Sequence, residues 1–370
     1  MNIFVAGHYS TKVGELWDLS LADLFAEAVD GVVNQAELEP LQIEAVFVAS
    51  KAAGEFNHQL HLNALVSQFF KHQPPAMRIE GACASGGLAL IAAEQALLSG
   101  QYKTVLVVGA EKMTDVGANR ATEILSMAAS DDLERGSTFP GLYALLAERH
   151  MAEFGTTREQ LSAVAVKNHR QALNNPLAQF HQEFNLEQVS CSPMIASPLR
   201  LLDCSPISDG AAAVILTSKK IKNKPRIIGF GHAQDSLDLA HRRTLTELVA
   251  TKRATEQALA MAKLTPQEIS LAEVHDCFTI AEIFAIEDLG FFKKGDGGRA
   301  TLAGETAVGG KVVVNQSGGL KAFGHPIGAT GIKQLVYVAD QLEQDRCQYG
   351  LTHNVGGSGA TAVVHILSKQ

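Results

Sequence analysis

One cysteine stands in a sequence context that favours nucleophilic chemistry. Cys83 lies in Gly-Ala-Cys-Ala-Ser-Gly-Gly at residues 81–87, between a predicted strand at 77–79 and a predicted helix at 85–98. These small residues predict a tight turn at the helix N-terminus, where unpaired N–H groups and the helix dipole stabilise a thiolate. That stabilisation matters because a free thiol is only about 3% ionised at pH 7. The residues alone leave a buried structural cysteine as the alternative.

A histidine that could activate this cysteine lies far along the chain. His325 occurs in Gly-Gly-Leu-Lys-Ala-Phe-Gly-His-Pro-Ile-Gly at residues 318–328, and a proline follows it at an early position of the next predicted helix. A nucleophilic cysteine needs a nearby base, and His325 has the sequence context that best suits this role. An ordinary histidine on a solvated loop is the alternative.

A third cluster combines two titratable side chains with a second cysteine. The sequence His-Asp-Cys-Phe at 275–278 follows a predicted strand at 270–274 and opens a predicted helix at 279–289. Such a junction suits acid–base chemistry. Zinc binding is the alternative, but no second pair at ligand spacing accompanies the motif, so we predict no metal site. A glycine-rich segment at 352–359 is predicted to be a turn whose N–H groups could face an oxyanion, although it matches no complete phosphate loop.

The elements that must position these residues form an internal repeat. Residues 209–220 resemble residues 358–369, and each segment follows a small-residue turn that opens an apolar helix, at 82–87 and at 325–331. The shared order predicts a duplication, in which a pseudo-twofold axis would bring the two turns together. A chance likeness of two strands rich in alanine and valine is the alternative. The polar stretch at 219–225 suits the join between the halves.

Apolar runs alternate with helical patterns, which predicts an α/β fold. The clearest predicted strands lie at 3–7, 45–49 and 105–109, and the clearest helices at 19–33, 85–98 and 158–172. The helix at 85–98 is apolar nearly all round, so we expect it inside the molecule. A more polar segment at about 111–206 lengthens the first half and suits a lid or a specificity region.

Composition excludes several classes of protein. The 370 residues are 46% hydrophobic and 19% charged, which excludes a disordered chain, and the net charge of −8 gives no reason to expect a nucleic-acid partner. Five cysteines without a Cys-x-x-Cys pair argue against a disulfide framework. No apolar run reaches the ~18 residues of a membrane helix, and no signal-peptide pattern opens the chain, so we expect a cytoplasmic protein without a membrane partner.

The chain resembles the thiolase superfamily through four motifs in order: Cys83, His-Asp-Cys-Phe at 275–278, Gly-His-Pro at 324–326 and His-Asn-Val-Gly at 353–356. The similarity covers essentially the whole chain and is greatest to the sterol-carrier-protein-type thiolases and their archaeal and bacterial relatives. It implies an acyltransferase that makes or thiolytically cleaves 3-oxoacyl-CoA, with CoA thioesters as substrates and no cofactor. Chain length of the acyl group and direction of the reaction are not implied.

The fold that this resemblance implies is a duplicated five-layer αβαβα core. The N-terminal half would span residues 1–223, with a loop domain inserted at about 111–206, and the C-terminal half would span residues 224–370. Thiolases with this core pair through their first halves, which implies a homodimer or a homotetramer. Archaeal relatives also occur in complexes with a CoA-utilising synthase and a zinc-ribbon/OB-type protein.

Positions that match the family motifs carry implied roles. Cys83 would be the acylated nucleophile, and His325 the base that activates it. His275, where most thiolases have the asparagine of Asn-Glu-Ala-Phe, would hold a water that forms an oxyanion hole with His325. Most thiolases carry their second acid–base cysteine in a Cys-x-Gly turn, but this chain has Asn-Val-Gly at 354–356. Cys277 is the implied substitute, with His275 and a neighbouring histidine, His353, as the next candidates.

Four further positions match less specific family features. Gly356, or the glycine after it, would share a second oxyanion role with the Cys83 N–H. Ser205 falls where thiolases contact the pantetheine of CoA, and His150 and Met151 match a pair that lines the acyl site.

Two other functions compete with a thiolase. Ketoacyl synthases share the duplicated core, but Cys277 and the Gly-His-Pro motif at 324–326 argue against one. A non-catalytic thiolase-like subunit would bind CoA or another protein without turnover. The intact set of Cys83, His275, Cys277 and His325 argues for activity.

Overall fold

The structure is a computed structural model that describes residues 3–36 and 38–369; Met1 and Gln370, the outer ends of the predicted halves, lie outside the described residues. The strands are β1 (Ile3–Ser10), β2 (Ala45–Ala49), β3 (Ala76–Ile79), β4 (Thr104–Glu111), β5 (Met194–Ala196), β6 (Leu199–Arg200), β7 (Gly210–Thr217), β8 (Arg226–Gln234), β9 (Leu271–Glu273), β10 (Val313–Val314), β11 (Tyr349–Gly356) and β12 (Thr361–Ser368). The α-helices are α1 (Leu21–Ala36), α2 (Ala53–Asn57), α3 (Leu62–Ser67), α4 (Ser85–Leu98), α5 (Ala118–Ser126), α6 (Phe139–Phe154), α7 (Arg158–Ala172), α8 (Leu186–Ser190), α9 (Val249–Ala262), α10 (Thr279–Asp288), α11 (Gly297–Leu302), α12 (Gly319–Ala322) and α13 (Ile327–Glu343).

The strands repeat one arrangement twice. The main sheet has the order β10-β9-β11-β12-β8-β1-β7-β4-β2-β3, and β5 pairs separately with β6. Each half contributes five strands to this sheet. From the sheet edge to the centre, they are the third, second, fourth, fifth and first of those five strands in chain order. The predicted repeat segments form the equivalent strands β7 and β12, so the duplication is confirmed. The division of the chain between residues 223 and 224 stays a prediction.

Helices α4 and α13 form the middle layer of the molecule. One apolar cluster joins buried residues of both helices, such as Leu90 and Ile332, to strands of both halves. Helix α1 packs on β1, β4 and β7 at one outer face, and α9 packs on β8 and β12 at the other. The layers are therefore helix, sheet, helix, sheet, helix, and α4 lies inside the molecule as expected. The two sets of strands join where Phe4 of β1 lies opposite Arg226 of β8.

Glycines let α4 and α13 cross at close range. A Cβ atom on Gly331 would lie 2.4 Å from both Asn354 Oδ1 and the Gly87 nitrogen, and one on Gly86 would lie 2.9 Å from the Gly331 nitrogen. Atoms in a packed interior do not approach so closely, so a side chain here would push the helices apart. Because the crossing lies near the N-termini of both helices, it fixes the distance between the turns that precede them.

The insertion in the first half packs on the second half. Between β4 and β7 lie helices α5 to α8 and the β5–β6 pair. Tyr143 of α6, Leu161 of α7 and Phe284 of α10 share one apolar cluster, so the insertion closes one side of the space where the halves meet.

Most predicted elements are present, with small changes at their ends. The helix predicted at 19–33 is α1, and the helix predicted at 158–172 is α7. The turn predicted at 352–359 is largely strand, because residues up to Gly356 pair with β12 in regular register. Within residues 3–36 and 38–369, no helix is long and apolar enough to cross a membrane.

Candidate active site

Three of the predicted residues converge where the two halves meet. Cys83 lies on the turn before α4, His325 on the turn before α13, and His275 between β9 and α10. The Cys83 sulfur and one ring nitrogen of each histidine lie within 4.8 Å of one another. The two imidazole rings are nearly perpendicular, and their centroids are 5.1 Å apart. The two turns therefore meet, as the duplication predicts.

A cavity of about 350 Å³ opens beside these side chains. Cys83, His325 and Cys277 line it together with the predicted Ser205. The insertion supplies much of the remaining wall, which is mostly apolar and includes Phe139, Tyr143, Ile195, Leu201 and Cys204. This wall can exclude water from a reacting thioester while leaving the sulfur accessible.

The turn that carries Cys83 contains a residue in an unusual backbone conformation. Ala82, just before it, has φ of 52°, in the left-handed region that non-glycine residues seldom adopt. The Ser85 hydroxyl donates to the Ala82 carbonyl at 2.6 Å and accepts from the Gly81 N–H at 3.0 Å, which stabilises this turn.

The sequence predicts a lowered thiol pKa for Cys83, but burial reverses the direction. Although Cys83 keeps part of its surface open to the cavity, the surrounding protein raises the pKa of its thiol to about 11. The Lys51 ammonium and the Gly357 N–H act in the opposite direction and offset only part of this rise. Cys83 is therefore a neutral thiol at pH 7, and it needs a base.

Hydrogen bonds fix His325 as that base. The single proton of the Thr330 hydroxyl goes to the Pro326 carbonyl at 3.0 Å, so this hydroxyl accepts from His325 Nδ1–H at 2.7 Å. Nε2 then carries a lone pair, and within the described part of the chain it has no hydrogen-bond partner. Burial, with the Lys333 charge, lowers the pKa of His325 to about 3, so the ring is neutral.

Asn354 joins the nucleophile turn to His275. Its side chain accepts from the Gly87 N–H at 3.1 Å and donates to the Cys83 carbonyl at 3.0 Å. The same Nδ2 lies 3.2 Å from His275 Nδ1. Burial and the neighbouring His325 keep the pKa of His275 well below its ordinary value.

A buried carboxylate holds the His-Asp-Cys-Phe segment in place. Asp276 accepts from the backbone N–H groups of Leu320 and Lys321, at 2.6 and 3.2 Å, and from Asn168 Nδ2 at 2.7 Å. Its side chain points away from the cavity, so among the residues of this motif His275 and Cys277 are left to face Cys83. Asp276 itself is a structural anchor.

Cys277 shares hydrogen bonds with a tyrosine that the sequence analysis missed. Burial raises the pKa of the Cys277 thiol, and the charge on a Cys83 thiolate would raise it further. A hydrogen bond with Tyr143 opposes this rise. The single proton of the Tyr143 hydroxyl can be donated either to Cys277 or to the Gly357 carbonyl, which lies 3.2 Å away. Tyr143 lies on α6 of the insertion, in a helical pattern that carries no motif, so no local signal could identify it.

Lys51 is the second residue that the sequence analysis missed. It lines the cavity and donates to the carbonyls of Ile124 and Leu125, at 2.7 and 3.0 Å. It follows β2 at the position where His275 follows β9 in the other half, and that equivalence was the available signal.

The remaining predicted residues divide into two groups. Ser205 lines the cavity, and its N–H donates to the Cys277 carbonyl at 2.9 Å. Gly356 lies in β11 against the Gly81 carbonyl, whereas the next glycine, Gly357, lines the cavity and points its N–H at the Cys83 sulfur.

Two histidines lie away from the cavity. His150 is fully buried between Thr156 and Glu287, at 2.8 and 3.0 Å, and neither it nor Met151 is among the residues that line the cavity. His353 lies beside Asn354 in β11, and side chains alternate along a strand, so it faces α9 and meets Thr251 at 2.9 Å. His353 is therefore not placed to act as a second base.

Comparisons with known proteins agree with this geometry. Residues 3–220 match the family described as "Thiolase, N-terminal domain", and residues 231–369 match "Thiolase C-terminal domain-like". The acetyl-CoA acetyltransferase of Methanothermobacter thermautotrophicus is 47% identical over 383 residues, which cover 100% of both chains. Sterol carrier protein 2 of Bos taurus is 32% identical over 78% of this chain and 58% of its own length.

A solved structure shares the whole fold. The structure described as "Ltp2-ChsH2(DUF35) aldolase" superposes with a TM-score of 0.85 over 100% of this chain and 98% of that chain. Its sequence identity of 22% makes this a likeness of fold alone.

Proposed function

This chain belongs to the thiolase family, and from that premise we propose that it makes or thiolytically cleaves 3-oxoacyl-CoA through an acyl group carried on Cys83. One observation carries the proposal: the Cys83 sulfur lies beside a histidine whose hydrogen bonds leave Nε2 with a lone pair. We propose acetyl-CoA as a substrate because a relative 47% identical to this chain is an acetyl-CoA acetyltransferase. Thiolases act on CoA thioesters without a cofactor.

Acylation follows from the neutral state of both partners. The Cys83 thiol gives its proton to His325 Nε2 while the sulfur attacks the carbonyl carbon of a thioester or of a 3-oxo group. The resulting oxyanion collapses and expels either the CoA thiolate, which takes up the proton from His325, or the enolate of acetyl-CoA, whose carbon is protonated by a second acid–base group. We assign the second oxyanion role to the N–H groups of Cys83 and Gly357, since Gly357 rather than Gly356 lines the cavity.

The carbon–carbon step needs a second acid–base group, and we propose Cys277. It lines the cavity beside Cys83, and a hydrogen bond with Tyr143 stabilises the thiolate form that proton removal requires. In cleavage the Cys277 thiol gives its proton to the enolate carbon and becomes a thiolate. Condensation is the reverse, in which the Cys277 thiolate takes an α-proton from acetyl-CoA and becomes a thiol. The enolate oxygen requires preorganised donors near His325 and His275, where the loss of one donor costs ~3–4 kcal/mol.

A cysteine substitution separates the two steps. Cys277→Ala is expected to form acetyl-Cys83 normally, since acylation needs only His325 and an oxyanion hole. It is expected to lose ~10²–10⁴-fold in thiolysis of acetoacetyl-CoA and in exchange of acetyl-CoA α-protons with deuterated water. Cys204→Ala is the matched control, because Cys204 lines the same cavity but donates to the Arg200 carbonyl.

Three outcomes would reject parts of the proposal. Near-normal exchange in Cys277→Ala assigns the second base elsewhere. An acetyl group recovered on Cys277, or none on Cys83, removes the nucleophile assignment. No turnover with 3-oxoacyl-CoAs of several chain lengths favours a non-catalytic subunit.

One residue of the cavity wall, Ser205, is our candidate for CoA binding. We propose that Ser205 contacts the pantetheine arm, since it lines the cavity that also holds Cys83. His150 and Met151 are not part of this proposal. Ser205→Ala should raise KM for CoA more than it lowers kcat, which a competition assay with desulfo-CoA would detect.

Assembly and location are proposals of their own. We propose a homodimer or homotetramer joined through the first halves, because β3 is an edge strand that exposes Met77. A complex with a CoA-utilising synthase and a zinc-ribbon/OB-type protein has support from the fold shared with a structure whose title names a DUF35 component. We propose a cytoplasmic location, which five free cysteines fit, and a role in fatty-acid metabolism, which rests on the proposed 3-oxoacyl-CoA substrates. Light scattering that gives the mass of one chain at micromolar concentration would contradict the dimer.

A further inference from the structure

The orientation of the Asn354 amide is fixed by two backbone groups. The Gly87 N–H can only donate, so the atom that meets it at 3.1 Å is the carbonyl oxygen of the amide. The Cys83 carbonyl can only accept, so the atom that meets it at 3.0 Å is the amide nitrogen. Both conditions give one orientation, with Nδ2 towards Cys83 and His275.

This orientation decides which nitrogen of His275 carries the proton. The amide nitrogen has two hydrogens; one goes to the Cys83 carbonyl, and the other points at His275 Nδ1, 3.2 Å away. Nδ1 must therefore accept, and a neutral ring then carries its proton on Nε2. We propose that Asn354 is a positioning residue that fixes His275 as the Nε2–H tautomer, so that His275 faces the reacting atoms as a hydrogen-bond donor.

The two histidines are then opposite in kind, although a ring nitrogen of each lies within 4.8 Å of the Cys83 sulfur. His325 presents a lone pair at Nε2, because Thr330 accepts from its Nδ1–H. His275 presents a proton at Nε2, because Asn354 donates to its Nδ1. Both Nε2 atoms are buried, and within residues 3–36 and 38–369 neither has a hydrogen-bond partner. A base and an oxyanion donor thus lie side by side, each set by a neighbour outside the cavity.

The same tautomer has a second consequence. The atoms of Cys83, His275 and His325 lie within 4.8 Å of one another, and thiolate with two imidazoles is a ligand set that suits zinc or cobalt. A metal at His275 Nε2 would need the proton to move to Nδ1, where it would oppose the Asn354 N–H. Asn354 therefore weakens metal binding at the nucleophile as well as supplying a donor.

The first test reads the tautomer directly in the unmodified protein. With histidines labelled by ¹⁵N, a long-range ¹H–¹⁵N correlation spectrum separates protonated from unprotonated ring nitrogens, and the spectrum of His275→Gln identifies the His275 signals. We expect a protonated Nε2 and an unprotonated Nδ1 at pH 7. A protonated Nδ1, or an imidazolium with both nitrogens protonated, overturns the inference.

The second test inverts the tautomer. Asn354→Asp replaces the donor at Nδ1 with an acceptor and keeps an acceptor for the Gly87 N–H. We expect His275 to change to the Nδ1–H form and Co²⁺ to bind at least tenfold more tightly. A thiolate-to-cobalt absorption band should appear, and Cys83→Ser in the same background should remove it. An unchanged tautomer and unchanged Co²⁺ affinity in a folded Asn354→Asp protein would also overturn the inference.

The control distinguishes this role from simple support of β11. Gln334 donates to the carbonyl of His353, the residue before Asn354, at 3.0 Å, and its side-chain oxygen has no hydrogen-bond partner within the described part of the chain. Gln334→Ala should leave the His275 tautomer and the Co²⁺ affinity unchanged. The inference rests on the proposed function only for its catalytic consequence, since neither readout requires turnover. An inactive wild-type protein with the expected tautomer would reject the proposed function alone.

Discussion

The turns before α4 and α13 occupy equivalent places in a duplicated fold, yet they are built for different tasks. The Cys83 turn is strained at Ala82 and keeps its sulfur partly open to the cavity. His325 is only 6% exposed, and its backbone N–H and ring bind Ser208 and Thr330, at 3.0 and 2.7 Å. The difference teaches that duplication supplies two facing positions, whereas the local contacts decide which becomes nucleophile and which becomes base.

The loops that follow β2 in the first half and β9 in the second half also occupy equivalent places and differ in their tasks. After β9, the second half places Cys277 on the cavity wall and His275 beside the Cys83 sulfur. At the equivalent point of the first half, the loop after β2 is held by the Glu111 carboxylate, which accepts from the N–H groups of Lys51 and Ala52, at 2.9 and 3.0 Å. Glu111 also accepts from the Gly328 N–H at 2.9 Å. The first half therefore supports the site, and the second half supplies most of its acid–base groups.

Removal of the base, His325, should cause the largest loss in the rate of Cys83 acetylation. His325→Gln keeps a polar side chain but cannot take the thiol proton, so acetylation of Cys83 should slow by ~10²–10⁴-fold. Quenched-flow mass spectrometry of the acetylated peptide measures this rate. The control is His353→Gln, which faces α9 and should stay within a few-fold of wild type. Equal losses in the two variants would contradict the division between the histidines.

The pH dependence of Cys83 reactivity tests its neutral resting state. Because burial raises the pKa of the thiol to about 11, the thiolate fraction should increase about tenfold with each pH unit, or about a hundredfold from pH 7 to pH 9. The measurement is the rate of iodoacetamide labelling at Cys83, followed by peptide mass spectrometry. If the labelling rate instead reaches a plateau below pH 9, the thiol is already ionised there, as the position at a helix N-terminus alone would predict.

The close crossing of α4 and α13 tests whether the site depends on a fixed distance between the Cys83 turn and the His325 turn. Gly331→Ala would place a Cβ atom 2.4 Å from the Gly87 nitrogen, so overpacking should lower the free energy of unfolding by ~1–3 kcal/mol. Urea denaturation measures this loss. Gly117→Ala is the matched control, because a Cβ atom there meets nothing within 4 Å and the φ of −65° suits any residue. Equal stability of the two variants would mean that the helices can separate at no cost.

The smallest expected effect concerns the orientation of the base. Thr330→Val removes the acceptor of His325 Nδ1–H but keeps the shape of the side chain, and a hydrogen bond contributes ~1 kcal/mol net. We expect acylation to slow by about fivefold to tenfold. If the rate is unchanged, the ring is oriented by packing, and Thr330 does not select its tautomer.

The sequence predicts the meeting of Cys83 and His325 because each lies on a small-residue turn of the internal repeat, and the family resemblance adds His275 to them. It does not predict the direction of the Cys83 pKa, since the helix N-terminus is a local feature and burial depends on residues far along the chain. The sequence analysis missed Tyr143 for the same reason, because its contact with Gly357 joins two segments that are far apart in the chain, the insertion and the end of the second half. The turn expected at Asn354 proved to be strand because pairing with β12 overrides the glycine content.

The position of β1 at the centre of the sheet constrains how the chain can fold. Phe4 of β1 pairs with Thr217 of β7, and the same strand meets β8 of the second half. Strand β1 therefore finds both neighbours only after the whole first half and β8 of the second half have been synthesised. Contacts so distant in sequence slow folding, and an unpaired apolar strand is prone to aggregate while it waits. We expect chaperone dependence of this chain to be set by Ile3–Ser10, a segment that contains none of the proposed catalytic residues.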